Sequence, residues 1–247
     1  MSITRIAMWS GPRNISTAMM RSWENRRDSV VWDEPLYAHF LDETGIDHPL
    51  REETLERHER DAVKVMEACV RGPVPAGRTV FYQKHMTHHF LPDLPWDWLD
   101  GLLNCFLIRD PKAMLLSYSR KRGEVTADDL GLARQWEIFE HVRKRTGGVP
   151  PVLDAEDVLK NPRHALTELC RAVGVPFQEQ MLSWAPGPRR TDGAWAPHWY
   201  DAVLDSTGFA QWRAREGELS PELEAIHAEC APHYEVMRRH RIGIADA

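Results

Sequence analysis

Residues 8–23, MWSGPRNISTAMMRSW, run from a short apolar stretch through Gly11 and Pro12 into helix-forming sequence. Arg13 stands at the bend, with Asn14, Ser16 and Thr17 directly behind it. A strand that delivers a Gly-containing turn to a helix N-terminus presents free backbone N–H groups and a partial positive charge. Arg13 adds a permanent cation that grips phosphate oxygens in pairs, and Ser16 and Thr17 add hydroxyl donors. Read alone, the stretch is as well explained by a tight turn capped by a hydroxyl, with Arg13 in solvent. The ATP and GTP signature G-x-x-x-x-G-K-[ST] is absent. A second stretch, FLIRDPKAMLLSYSR (106–120), ends an apolar strand at Arg109, turns at Asp110-Pro111 and places Ser117 eight residues after Arg109. In an open parallel sheet both loops belong at the C-terminal strand ends, where ligands bind. Together they would make two anion sites on one edge.

Two further stretches could supply a base. VVWDEPLYAHFL (30–41) sets Glu34 just past an apolar run, and FYQKHMTHHFLP (81–92) carries Lys84, His85, His88 and His89. Asp33 and Glu34 could equally cap the next turn, and the histidines could be ordinary loop residues. The H-x-x-H-H spacing lacks a matching carboxylate pattern, so no metal is expected. A carboxylate beside two cationic sites should stay ionised, as a base requires.

The elements that must position these residues are legible as strands at 5–9, 29–33, 79–84, 104–109 and 151–154, alternating with helical patterns. REETLERHERDAVKVMEACVRG reads as one helix stopping at Gly72-Pro73, and TADDLGLARQWEIFEHVRKR (126–145) as another with Thr126 as its N-cap. A break is expected near Asn161-Pro162. This alternation implies an α/β fold with a mainly parallel sheet of about five strands covered on both faces. After about residue 180 the pattern changes. Residues 184–212 are rich in Pro, Gly and Trp and read as a lid or binding loop, followed by a C-terminal helix opened by Ser220-Pro221 and interrupted or kinked at Pro232. One domain over 1–247 is the simplest account.

The 247 residues carry a net charge of −6, which argues against duplex nucleic acid as a partner. No apolar run reaches the ~18 residues of a membrane span, and the N-terminus lacks a signal-peptide pattern. Cys69, Cys105, Cys170 and Cys230 are far apart and lie in apolar patterns, so reduced buried thiols and a cytoplasmic location are expected.

With these motifs in order, the chain resembles the sulfotransferases that use 3′-phosphoadenosine-5′-phosphosulfate, in a bacterial or carbohydrate-sulfotransferase-like branch. GPRNIST is similar to their phosphosulfate loop, P-[KR]-x-G-[ST]-[ST], with Ile15 where that loop usually carries Gly. RDPKAMLLS resembles the 3′-phosphate motif in Arg109 and Ser117. PVLDAEDVLKNPRHALTELCRAVGVPF resembles the family's Glu-Asp-Leu segment, and the likeness covers roughly residues 4–180. It implies a three-layer P-loop-type fold and a donor held by Gly11, Arg13, Asn14, Ser16, Thr17, Arg109 and Ser117. PRRTDGAW matches a C-terminal family segment loosely, which would bring Arg189 or Arg190 over the nucleotide and Trp195 into a lid. VVWDEPL resembles a Glu-Pro-Leu stretch whose Glu is the base, favouring Glu34 over His85 and His88. Arg13 and Lys84 would neutralise the transferred group. A doubly phosphorylated leaving nucleotide explains one cationic site per phosphate and no metal. The acceptor would be a small molecule or carbohydrate offering a hydroxyl or amine, with His39, His48, Trp184, Trp195, His198, Trp199 and Tyr200 available to line its pocket. A homodimer is left open. The competing readings are a P-loop nucleotide kinase or hydrolase, and a non-catalytic nucleotide-binding protein on the same fold.

Overall fold

The structure, a computed structural model, describes residues 2–118 and 125–243. Five strands form one parallel sheet: β1 (Thr4–Ser10), β2 (Ser29–Asp33), β3 (Val80–Met86), β4 (Leu103–Ile108) and β5 (Val152–Asp154), in the order β2-β3-β1-β4-β5. Helix α1 (Ser16–Glu24) follows β1. α2 (Tyr37–Thr44), α3 (Arg51–Arg57) and α4 (Ala62–Arg71) follow β2. α5 (Pro111–Tyr118), α6 (Ala127–Leu130) and α7 (Leu132–Thr146) follow β4. After β5 come α8 (Ala155–Lys160), α9 (Pro162–Ala172), the short α10 (Ala196–Trp199) and α11 (Asp201–Leu204), and α12 (Pro221–Arg238).

Both faces of the sheet are buried, which explains strands that read as near-continuous apolar runs. Period-two alternation sends Ile6, Met8, Tyr82, Cys105 and Leu107 toward α1, α8 and α9, where they meet Met19, Trp23, Val158 and Leu166. Ala7, Trp9, Phe106 and Ile108 point the other way, toward α4, α7 and α12, and meet Met66, Cys69, Phe139 and Met237. The result is a three-layer α/β fold, as the alternation of elements implied. All four cysteines are buried and free, and no helix among the described residues is long and apolar enough to cross a membrane.

The helix boundaries differ from expectation where the local chemistry restarts the chain. The 51–71 pattern is two helices, because His58 is extended and Asp61 caps α4 by accepting from the Val63 and Lys64 N–H groups. The 126–145 pattern divides at Gly131, whose φ of +67° ends α6 before α7 begins. The break at Asn161-Pro162 separates α8 from α9 as expected. Pro232 lies inside a continuous α12. The helical pattern after Pro111 is seen as far as Tyr118, and the rest of that expectation, residues 119–123, lies outside the described residues.

Candidate functional site

β1 sits between β3 and β4, so successive crossovers leave β1 to opposite sides. The crevice at the carboxyl ends of β3, β1 and β4 is therefore where a ligand is expected. A cavity of about 580 Å³ opens there, lined by the residues after β1, by Glu34, Lys84, Met86, His88 and His89, by Arg109 and Ser117, and by Trp199, Tyr200, Arg213 and Arg215 from the C-terminal segment. Most of the residues singled out in the sequence thus reach one cavity: Arg13, Asn14, Ser16, Thr17, Glu34, Lys84, His88, Arg109 and Ser117.

On the β1–β4 half the site is cationic. Asn14 Oδ1 accepts the Ile15 N–H at 2.8 Å while its amide donates to Leu107 O at 3.0 Å, tying the loop to the sheet. Helix α1 has no side-chain cap, so the first-turn residues Ser16, Thr17 and Ala18 present uncapped N–H groups to the cavity they line. Arg13 adopts φ +53°, a conformation that side-chain-bearing residues rarely hold. Its Nε donates to Ser117 Oγ at 3.3 Å, and Arg109 Nη1 donates to its carbonyl at 2.6 Å. Burial, then the nearby Arg215 and Arg13, bring the Arg109 guanidinium down to about 10, and burial and Arg215 lower Arg13 as well. Three arginines gathered at one end of the cavity give it a positive potential suited to anionic groups.

The β2–β3 half is different. Lys84 Nζ donates to Asp33 Oδ1 at 2.9 Å, Glu34 Oε1 at 2.5 Å and the Tyr200 hydroxyl at 2.6 Å, so all three of its protons are engaged. The Tyr200 hydroxyl donates in turn to Asp33 Oδ2 at 2.6 Å and accepts from Trp195 Nε1 at 3.1 Å, and the Gly193 N–H reaches Asp33 Oδ2 at 3.1 Å. Burial opposes the Lys84 charge, but Asp33 and Glu34 outweigh it and hold the ammonium above its ordinary value. Burial pushes the Glu34 carboxyl up, against the downward pull of Lys84. Glu34 also sits at φ +40°. The simple expectation that Glu34 stays fully ionised beside cations misses this burial. The raised affinity for a proton makes the ionised carboxylate a stronger base than an exposed glutamate.

Several sequence-based placements are corrected. His85 is inside β3, which continues to Met86. Strand alternation therefore turns it with Gln83 to the far face of the sheet, where it stacks on Trp9 at 4.5 Å and meets Gln83 Oε1 at 3.2 Å. Burial drives its imidazole down to about 3, and it does not line the cavity. Gly11 does not line it either: a Cβ there would stand 2.5 Å from Leu130 O, so glycine answers to close backbone packing. Arg190 is exposed, and Arg189 donates to Ala185 O at 2.9 Å. The C-terminal arginines lining the cavity are Arg213 and Arg215. They lie in a stretch without regular structure, and no period distinguishes them from surface arginines. His48, Trp199 and Tyr200 line the cavity, while Trp195 is buried edge-on against Tyr37 at 4.8 Å. His89, one of two adjacent histidines that carry no distinguishing pattern, is buried beside Glu34. Among the described residues no group of three or more His, Cys, Asp or Glu side chains could hold a metal ion.

Comparison with known proteins matches residues 4–241 to a family described as "Sulfotransferase domain". Two curated relatives from Arabidopsis thaliana, "Branched-chain-amino-acid aminotransferase-like protein 2" and "protein 1", are each 34% identical over 95% of this chain. The matched regions are 41% and 42% of those proteins, so the chain spans about two fifths of their length. Among solved structures, the "Sulfotransferase Domain from the Curacin Biosynthetic Pathway" aligns with a TM-score of 0.52 at 16% identity, covering 93% of this chain and 98% of that one. A sulfotransferase from Alicyclobacillus acidocaldarius aligns with a TM-score of 0.54 at 11% identity, covering 98% of each.

Proposed function

We propose, from the premise that the chain belongs to the sulfotransferase domain family, that it transfers a sulfuryl group from 3′-phosphoadenosine-5′-phosphosulfate to a small or carbohydrate-like acceptor. The observation that carries the reading is the division of one cavity into a cationic half and a carboxylate half. Sheet order fixes it: Arg109 follows β4 and Glu34 follows β2, three strand spacings apart, or roughly 14 Å at ~4.8 Å each. Such a span accommodates a nucleotide over β1 and β4 and an acceptor over β2 and β3.

In this reading the uncapped N-terminus of α1, with Ser16 and Thr17, holds the 5′-side anion. Arg109, Ser117 and the C-terminal Arg215 hold the 3′-phosphate side, and Arg13, on the phosphosulfate loop and bonded to Ser117, stands between the two anionic groups. The donor supplies an activated sulfuryl group whose leaving group is a nucleoside bisphosphate. Lys84, held in place by Asp33, Glu34 and Tyr200, is a fixed cation at the cavity wall whose field offsets developing charge, and it gives up one of its three bonds if it donates to the transferred group. Glu34 takes the acceptor's proton, and its raised affinity for a proton suits that task.

Calorimetric titration with adenosine 3′,5′-bisphosphate, ADP and ATP, with and without Mg²⁺, tests the donor. The expected result is metal-independent preference for the bisphosphate, weakened about 10- to 150-fold in Arg109→Ala, the worth of one charge-assisted phosphate contact. Preference for ATP with Mg²⁺ would point to the kinase or hydrolase reading and overturn this one. Binding of no nucleotide would leave a fold without the chemistry.

A further inference from the structure

Resting on the donor assignment above, a second question is which nucleophile the carboxylate half accepts. His89 follows β3 in a short 3-10 turn (Thr87–His89). Its ring is clamped between Tyr37, stacked at 4.6 Å and 9°, and Phe40 at 4.8 Å and 29°. The side chain is almost wholly buried, lines the cavity, and leaves Nδ1 with no hydrogen-bond partner among the described residues. A buried polar atom in that condition is costly, and it calls for a reason.

Glu34 Oε2 stands 3.8 Å from His89 Nδ1. That gap is too long for a direct hydrogen bond. One oxygen can stand within hydrogen-bond reach of both. At ~2.8 and ~2.9 Å it sees its two partners about 84° apart, so both bonds are bent unless the pair opens slightly around it. The other Glu34 oxygen, Oε1, is already taken by Lys84.

We propose that Glu34 Oε2 and His89 Nδ1 form a notch for the acceptor hydroxyl, which donates its proton to the carboxylate and accepts a hydrogen bond from the imidazole N–H, so that the enzyme acts on alcohols rather than amines. A hydroxyl offers one proton and lone pairs together, whereas an ammonium group has donors only. An amine acceptor would arrive protonated and leave the His89 N–H facing a positive group. The pair thus selects by hydrogen-bond polarity, which rejects a mismatched group more strongly than shape does.

For this the imidazole must be neutral with its proton on Nδ1. Burial, reinforced by His88, His48, Lys84 and His85, holds it well below the ordinary histidine value. In the reaction the acceptor O–H bond breaks and its proton passes to Glu34. The oxygen forms a bond to sulfur, and the S–O bond to the nucleotide phosphate breaks with its electron pair leaving on the bisphosphate. No redox partner is needed.

Two readouts test the notch. The ¹⁵N spectrum of histidine-labelled protein with adenosine 3′,5′-bisphosphate, assigned by loss of one resonance in His89→Phe, should show His89 neutral and Nδ1-protonated between pH 6 and 8. An imidazolium or an Nε2-protonated ring overturns the proposal whether or not an acceptor has been found. Matched alcohol and amine pairs on common ring and chain skeletons should then show turnover of alcohols alone. His89→Phe, which keeps the stack, should lose at least tenfold in kcat/KM, and His89→Asn, which restores an N–H donor, should recover part of it. Equal turnover of amines, or full activity in His89→Phe, would overturn it too. Bisphosphate binding in each variant reports folding, and its absence in the wild type would instead indict the donor assignment.

Discussion

Replacing Tyr200 by Phe removes one oxygen from the centre of the buried polar network. That oxygen accepts from Lys84 at 2.6 Å and Trp195 at 3.1 Å and donates to Asp33 at 2.6 Å. Two of the three bonds have a charged partner, each worth ~1.5–3 kcal/mol, and the third is neutral at ~1 kcal/mol. Bonds sharing one atom are not additive, and Asp33 keeps Lys84 and the Gly193 N–H. The expected loss is therefore about 3 kcal/mol, below the simple sum. For a chain of this size ~1 kcal/mol lowers the melting temperature by ~2–4 °C, so Tyr200→Phe should melt roughly 6–12 °C lower. With the Gly193 N–H on Asp33, Tyr200 also fastens the segment bearing α10 and α11 to the carboxyl ends of β2 and β3, so limited proteolysis should cut the variant first within about residues 184–212. Differential scanning fluorimetry and proteolysis check both parts. A shift under 2 °C with an unchanged cleavage pattern would mean that the hydroxyl is not the tie described.

The remaining predictions concern charge and strain. Burial holds His85 at about 3 and His89 well below its ordinary value. Their contribution to stability is therefore full above the unfolded value near 6.5 and is lost as pH falls, approaching ~2.7 kcal/mol per pH unit once both unfolded imidazoles charge. Glu34, whose folded value is raised, works in the opposite sense: its contribution is full below the ordinary carboxylate value and is lost as pH rises. Urea midpoints between pH 7 and 5 should fall for the wild type. Any counterweight from Glu34 within this range disappears in Glu34→Gln, so a shallower fall in that variant contradicts the assignment. Arg13→Gly should relieve the φ of +53°, worth ~1–2 kcal/mol, and the mutual repulsion of three arginines, against ~1 kcal/mol of extra chain entropy. The variant should be at least as stable as the wild type by thermal melting while binding adenosine 3′,5′-bisphosphate at least tenfold more weakly; a destabilised variant with intact affinity refutes the role given to this residue.

The fold was legible because it depends on periods. Strands buried on both faces read as apolar runs and helices as amphipathic ones, and a parallel sheet follows from their alternation. That Arg13, Ser16, Thr17, Arg109 and Ser117 share one cavity was legible for a related reason: they stand at strand-to-helix junctions, where sequence marks the turn. What failed was anything decided by one residue of register or by contacts far along the chain. His85 looked like a loop residue because lysine and histidine are poor strand signals, yet β3 runs two residues further, and alternation puts Lys84 in the cavity and His85 on the opposite face. His89 gains its meaning only from Tyr37, Phe40 and Glu34, which belong to another element. Arg213 and Arg215 come from a stretch with no period at all.

The backbone carries one signal that neither composition nor period could supply. Among the described residues three non-glycine positions have positive φ, and two of them are Arg13 and Glu34. Each lies in the turn after a strand, where glycine would be easier by ~1 kcal/mol or more. A chain that places a long charged side chain in each of these strained turns, on strands two apart in the sheet, trades stability for what those side chains reach. Strand order then does the rest. Because β1 lies between β3 and β4, the cationic turn faces the Arg109 side and the carboxylate turn faces Lys84. The cationic and carboxylate halves are thereby held apart on one sheet edge, as the proposed transfer requires, and the strain is local to one residue in each half.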